Sequence, residues 1–295
     1  MTSEPEPVYR DSRGILDPWL LRQRVRLTRY PVSAALAGLI DRFWAVRWDL
    51  PVDVVHRQQV LTHPAANLSV SHPDAQSNAS GTPDDPLGGG QGQRLEARVN
   101  GVATALSTRH LSGRGWAVAA MTTPGGLGAF ISGSVADLTD RIVAFDGVID
   151  VDEAGLLHRL GSEPDEAARV EALASALQAA LIPQRVATAR QVAEVAQLAE
   201  TDRSVRRLGD LSARTGVPSR TLQRLFAQYA GVSPTWVLRR YRLLDVAEAV
   251  RNGESPVWAD VAADLGYADQ AHLVRDFRAA TGQTPARYAS SQRLR

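Results

Sequence analysis

The apolar positions of this 295-residue chain change rhythm part-way along. In the first half they alternate with polar ones over short runs. Phe43–Trp48, Asn67–Ser71, Arg94–Leu106 and Trp116–Thr122 therefore read as strands, with shorter β-like pieces between Val52 and Leu61. A helix is expected over Ser33–Asp41. Pro124-Gly125-Gly126 opens another to about Ile131, and Ser134 caps a short one over Val135–Arg141. Ser, Asn, Gly and Pro fill about 74–93, which predicts a mobile loop. Residues 1–30 are weakly patterned.

After residue 160 the spacing turns helical. Val170, Leu173, Leu177 and Leu181 line one face of a helix over Asp165–Leu181, Pro183 interrupts, and Val186–Glu200 forms the next. From Asp202 onward nothing alternates. The expected fold is an α+β N-terminal domain of strands and short helices, then an all-α domain. The expected boundaries are 1–182 for the first domain, 183–202 for a helical connector and 203–295 for the helical end.

That end repeats itself. Asp210, Ala213 and Gly216 recur fifty residues later as Asp260, Ala263 and Gly266. Leu222, Arg224, Phe226, Gly231 and Pro234 recur fifty-one later as Leu273, Arg275, Phe277, Gly282 and Pro285. The extra residue falls in the turn. Each copy reads as a helix, a glycine able to take positive φ, and a second helix, which is the layout of a helix-turn-helix. The copies span about 208–230 and 258–281, and a helix over about 234–252 joins them. Small Ala213 and Ala263 are expected where the helices approach closely. Leu222, Leu225, Phe226 and Tyr229 bury one face of the second helix, which leaves Ser219, Arg220, Gln223 and Arg224 outward. In the second copy Leu273 and Phe277 face inward, and Gln270, Ala271, His272, Val274 and Arg275 are the outward candidates for the groove. Arg206, Arg207, Arg239, Arg240, Arg242, Arg278 and Arg287 are candidates for phosphate contacts.

Charge supports this reading only after it is divided. The net charge is +1, but residues 203–295 hold 15 Arg against 8 acidic residues, +7, and residues 1–202 hold 18 Arg against 24, −6. A basic half beside an acidic one points to a polyanionic partner. All 33 basic residues are arginine and cysteine is absent. Their absence excludes lysine Schiff bases, Walker-type lysines, thiol nucleophiles and disulfides. No Gly-x-Ser-x-Gly elbow or dinucleotide loop occurs, so no enzyme is expected. His56, His63 and His72 match no metal-site spacing, and no metal or cofactor is expected. The acidic residues Asp146, Asp150, Asp152 and Glu153 read as a solvated loop. Without 18 consecutive apolar residues or a signal core, the chain is expected to be cytoplasmic, at the nucleoid when bound to DNA.

Residues 205–289 resemble the AraC/XylS family of bacterial transcription regulators. The resemblance rests on Leu222-Gln-Arg224-Leu-Phe226, Gly231-Val-Ser-Pro234, Gly266-Tyr267, Arg275-Asp-Phe277 and Thr281-Gly282-Gln-Thr-Pro285-Ala-Arg-Tyr288. It implies that the all-α domain has about seven helices and that residues 1–182 are a sensor or dimerisation domain. It also implies two recognition helices reading successive major grooves, with Arg220, Gln223 and Arg224 on bases from the first. Gln270, Ala271, His272 and Arg275 would line the groove from the second. Leu273 stands where an aromatic is common and Asp276 where a base is common. Phe43-Trp44, the run from Gly115 to Leu127, and Leu138-Thr-Asp-Arg141 are similar to a sensor-type domain found ahead of this motif in actinobacterial regulators. Trp44, Trp48 and Trp116 are the nominated ligand-contacting aromatics, with core packing as their competing role. The expected partners are double-stranded operator DNA and a small-molecule effector of unknown chemistry. Contact with RNA polymerase and a homodimer stay open. The alternatives are an N-terminal domain that only dimerises or binds a protein, and, more remotely, an N-terminal enzyme with a DNA-binding tail.

Overall fold

The computed structural model describes residues 14–71, 77–78, 95–252, 254 and 256–293. The expected loop over 74–93 lies outside them apart from Ser77–Asn78. Helix α1 (Pro18–Arg24) starts at Asp17, whose Oδ1 accepts from the Leu20 N–H at 3.0 Å. Strands follow: β1 (Val25–Tyr30), β2 (Ile40–Asp49), β3 (His56–Val60), β4 (Asn67–Ser71), β5 (Ser77–Asn78), β6 (Glu96–Asn100), β7 (Ser107–Leu111), β8 (Arg114–Thr122) and β9 (Ile142–Ala144). They form a six-stranded sheet in the order β1-β2-β8-β4-β6-β9 and a three-stranded sheet β3-β7-β5, with every pairing antiparallel.

Because successive side chains alternate faces, the register sorts the large sheet into rows. Phe43, Ala120, Leu68, Val99 and Val143 lie opposite one another across β2-β8-β4-β6-β9, an apolar row on one face. Helices α2 (Glu153–Ser162) and α3 (Glu166–Ala179) cover that face. One residue along, Arg42, Met121, Asn67, Asn100 and Ile142 make a mixed row on the other face. That row looks toward the small sheet.

Helix α4 (Pro183–Thr201) buries Ala189, Val192, Ala193, Val195, Ala196 and Ala199. It packs on α5 (Leu208–Thr215), α6 (Ser219–Ala230) and α7 (Pro234–Arg251). Helices α8 (Trp258–Asp264), α9 (Gln270–Thr281) and α10 (Pro285–Arg293) complete the chain. Six described helices therefore lie beyond residue 203, and α4, the expected connector, packs on three of them.

Several expectations change. Ser33–Asp41 is not helical: Leu36 and Leu39 are buried from two successive turns, and Ile40 already begins β2. The strand expected over Arg94–Leu106 stops at Asn100. The helix after Pro124 is a 3-10 turn, Gly126–Ala129, and the one after Ser134 is a second, Val135–Leu138, capped by the Ser134 hydroxyl. The weakly patterned α1 and β1 were not expected, nor was α2. Asp152, read as part of a solvated loop, caps α2 by accepting from the Gly155 N–H at 3.0 Å, and Leu156 and Leu160 bury one side.

The two halves share one continuous core. Both 3-10 turns rest on α6. The Thr139 hydroxyl donates to the Gly231 carbonyl at 2.7 Å, just past the end of α6. The Leu106 N–H donates to the Ala279 carbonyl of α9 at 3.1 Å. Arg240 of α7 donates to the Thr104 carbonyl.

Candidate nucleic-acid interface

The first motif is α5, the turn Gly216–Pro218 and α6. Gly216 takes φ +68° and its counterpart Gly266 φ +70°, conformations that a side chain would strain. Asp210 fastens the entrance: one carboxylate oxygen accepts from the Arg206 and Arg207 backbone N–H groups at 2.8 and 2.9 Å. Those two bonds hold its pKa below the usual carboxylate range. The Ser212 hydroxyl donates to the Val217 carbonyl at 2.8 Å across the turn. Ala213 and Ala263, expected at a close helix contact, are exposed instead, and Leu211 and Ala262 take the inner positions.

Leu222, Leu225, Phe226 and Tyr229 are buried, as the spacing required. The opposite face of α6 presents Arg220, Gln223 and Arg224 exposed, with Ser219 half-buried at its start. In α9, Gln270, Ala271 and Arg275 are exposed, and Leu273 and Phe277 are buried. His272 differs from the expectation of an open groove residue. Its ring stands edge-on to Tyr267 at 5.0 Å and is half-buried, and its backbone N–H is capped by Asp269 Oδ1 at 2.7 Å. Burial holds the Tyr267 phenol above its ordinary pKa, and half-buried Asp276 adds to that.

The arginines divide into two groups. Arg203 pairs with Asp245, Arg214 with Asp202 at 3.0 Å and Arg206 with Asp264 at 3.6 Å. Arg239 lies over the Tyr267 ring at 5.0 Å. Arg242 donates to the Asp202 carbonyl at 3.0 Å. Arg240, a candidate for phosphate contact by sequence, is buried over Trp236, and desolvation pulls its pKa down to about 10. It is a structural cation. Arg220, Arg224 and Arg275 are exposed and have no ion-pair partner among the described residues.

The nominated aromatics are not brought together. Trp44 Nε1 donates to Asn67 Oδ1 at 3.1 Å, and its ring faces a cavity of about 230 Å³ between the two sheets. Trp48 is buried in a satellite core with Leu21, Val25, Leu50 and Leu111, and its Nε1 donates to the Ser112 carbonyl at 2.9 Å. Trp116 lies on the helix-covered face, opposite Arg47 in register, under the Arg169 guanidinium at 3.9 Å. Of the three, Trp44 alone lines the cavity. The signal that finds the rest of its lining is cross-strand register, which no local window contains.

His56 is buried, its Nε2 3.1 Å from Gln58 Oε1, and His63 lines the cavity, while His72 lies outside the described residues. Among the described residues no group of three or more His, Asp or Glu is placed to hold a metal ion. No described helix is long and apolar enough to cross a membrane.

Residues 211–291 match the family model described as a helix-turn-helix domain, and residues 28–144 match a domain of unknown function, DUF6597. A curated relative, the HTH-type transcriptional activator RhaS of Pectobacterium carotovorum subsp. carotovorum (strain PC1), is 32% identical over 77 residues. That match covers 26% of this chain and 27% of the relative, so the chain spans about a quarter of its length. Among solved structures, the C-terminal domain of AraT, a response regulator from Geobacillus stearothermophilus, is 24% identical with a TM-score of 0.30. It covers 34% of this chain and 84% of its own. ToxT from Vibrio cholerae is similar at 10% identity and a TM-score of 0.36, over 90% of this chain and 97% of its own.

Proposed function

The chain carries an AraC/XylS-type helix-turn-helix domain over residues 211–291 behind a DUF6597 domain over 28–144, and from that premise we propose a sequence-specific transcription regulator of double-stranded DNA whose first domain takes a small-molecule effector. The observation that carries the reading is the placement of Arg220, Arg224 and Arg275. They stand exposed on the two second helices with no ion-pair partner among the described residues, while most arginines around them are engaged with protein. A guanidinium held in this way can grip guanine O6 and N7 together. Gln223 and Gln270 offer the matching fork for adenine. Exposed Ala271 offers apolar contact to a thymine methyl.

Two chain segments support effector control. Gly101 and Ala103 line the cavity, and the same segment reaches α7 and α9 through Thr104 and Leu106. Asp140 and Arg141 also line it, next to Thr139, which bonds the end of α6. A ligand that moves the cavity wall thus displaces residues fastened to both motifs, in addition to any action through α4. A first domain used only for dimerisation or a protein partner would leave that wall without a role.

Arg224→Ala tests the DNA reading. In gel shifts with full-length protein the expected loss is about 1–3 kcal/mol confined to one base position of a bound site. An equal loss on random DNA would make Arg224 a phosphate contact only.

A further inference from the structure

The inter-sheet cavity has an uneven polar lining. The row Arg42, Asn67, Asn100, Met121 and Ile142 forms one wall. Gln58 and Arg109, paired in register across β3 and β7, stand on the other with Val60 and Ser107. Trp44, Val46, Leu27 and Leu111 make up much of the apolar remainder. Asp140 is the single carboxylate among the lining residues. Both its oxygens are taken by Thr104, through the backbone N–H and the hydroxyl, each at 2.6 Å.

Arg109 is the least engaged of the cavity's arginines among the described residues. Arg42 is paired with Asp41, Arg141 donates to the Asp137 carbonyl at 2.9 Å, and Arg29 is engaged as well. Arg109 has one hydrogen bond among the described residues, a long one of 3.5 Å from its Nη2 to Asn100 Oδ1. Protein surrounds it densely enough that desolvation lowers its pKa, and no carboxylate among the described residues offsets that. Its side chain nevertheless keeps accessible surface, and that surface faces the cavity. A guanidinium has five N–H donors in a planar fork. Here one of them reaches Asn100, and the side chain lines a cavity with a large apolar share. A buried cation without a counter-charge is costly, and the fork matches the two oxygens of a carboxylate.

We infer that the cavity is a binding site for a small amphipathic monocarboxylate. Arg109 receives the carboxylate and Trp44, Val46, Leu27 and Leu111 receive the apolar body. The volume of about 230 Å³ is below the roughly 300–1,000 Å³ of drug-sized sites, so the ligand is of small-metabolite size. This rests on the effector reading above and supplies its chemical class. Asn100 shares Arg109 with the ligand. Its own amide is held by the Ser69 hydroxyl at 2.9 Å and the Asn67 carbonyl at 3.2 Å, so the acceptor oxygen is fixed in place.

The test uses full-length protein without DNA, so that its failure leaves DNA recognition standing. Butanoate, hexanoate, octanoate, phenylacetate and 3-phenylpropanoate are each compared with the corresponding amide, at matched ionic strength. Thermal unfolding and tryptophan fluorescence are the readouts, Trp44 being the reporter within the cavity. At least one acid is expected to raise Tm and change the fluorescence while its amide does neither. Arg109→Gln is expected to weaken that acid about 10- to 100-fold, the factor that one charge-assisted hydrogen bond represents. Arg98→Gln, whose native guanidinium is engaged with Glu96 at 2.7 Å outside the cavity, is expected to respond as wild type. No acid stabilising the wild-type protein, an amide binding as well as its acid, or an unchanged response in Arg109→Gln would each overturn the inference. The acid–amide comparison stands on wild-type protein even if Arg109→Gln does not fold.

Discussion

Arg224 and Arg240 carry the same side chain into opposite situations. One is exposed on α6 with no ion-pair partner among the described residues, and the other is buried on α7 with its pKa pulled down to about 10. Sequence separates them poorly because α7 is buried around most of its circumference: Val237, Leu238, Arg240, Tyr241, Leu243 and Leu244 are all inside. A helix wrapped on most sides has no polar stripe from which to read an outward position. Arg224 was legible because α6 has one apolar stripe and the repeat aligned it with Arg275. Gly128 is a second residue whose role appears only in three dimensions. A Cβ there would come within 2.4 Å of Tyr229 Cδ1 and 3.1 Å of its Cα. The 3-10 turn and α6 therefore meet at backbone distance. Gly128→Ala is expected to lower global stability by about 1–3 kcal/mol, the usual cost of overpacking. Denaturant unfolding of the full-length variant measures this, and an unchanged midpoint would refute the close contact.

At the scale of elements, the second helices, the turns and the linking helix of the basic end were readable from periodicity, turn glycines and the internal repeat. The short elements of the first half were not. Helix α2 hides behind Gly155 and Gly161, poor helix formers, although its Asp152 cap and its Leu156–Leu160 spacing are present in the sequence. The turn Gly126–Ala129 is buried throughout and packed against α4 and α6. Capping also gives the basic end a pH dependence. The folded pKa of Asp210 lies below its unfolded value because two backbone N–H groups donate to the carboxylate. Its contribution is therefore complete above the unfolded value and is lost as pH falls through the folded one. Asp210→Asn is expected to cost about 0.5–1 kcal/mol at pH 7, a typical capping contribution for an exposed site. The gap to wild type should shrink as pH falls below about 4, the range of an ordinary aspartate. Thermal unfolding from pH 3 to 7 checks this, and a gap that stays constant over that range would contradict it.

At the scale of the molecule, a near-zero net charge conceals halves of −6 and +7 joined through one core. Division of the charge was legible from composition. The cavity was not, because the strand order β1-β2-β8-β4-β6-β9 brings together residues far apart in sequence. Arg109 looks like any polar member of an alternating strand until Gln58 of β3 is seen beside it and Asn100 of β6, from the other sheet, within its reach. The segments Gly101–Leu106 and Thr139–Arg141 then link the cavity wall to both helix-turn-helix units. The central claim is that those units read a defined site on double-stranded DNA. Selection of bound duplexes from a random-sequence library by full-length protein tests it most directly. The account predicts an enriched site with two base blocks about one helical turn apart, bound at least about 10³-fold more tightly than random DNA. Arg224→Ala should relax one block and Arg275→Ala the other. A library that stays random after selection, or a site unchanged by both substitutions, would contradict the account.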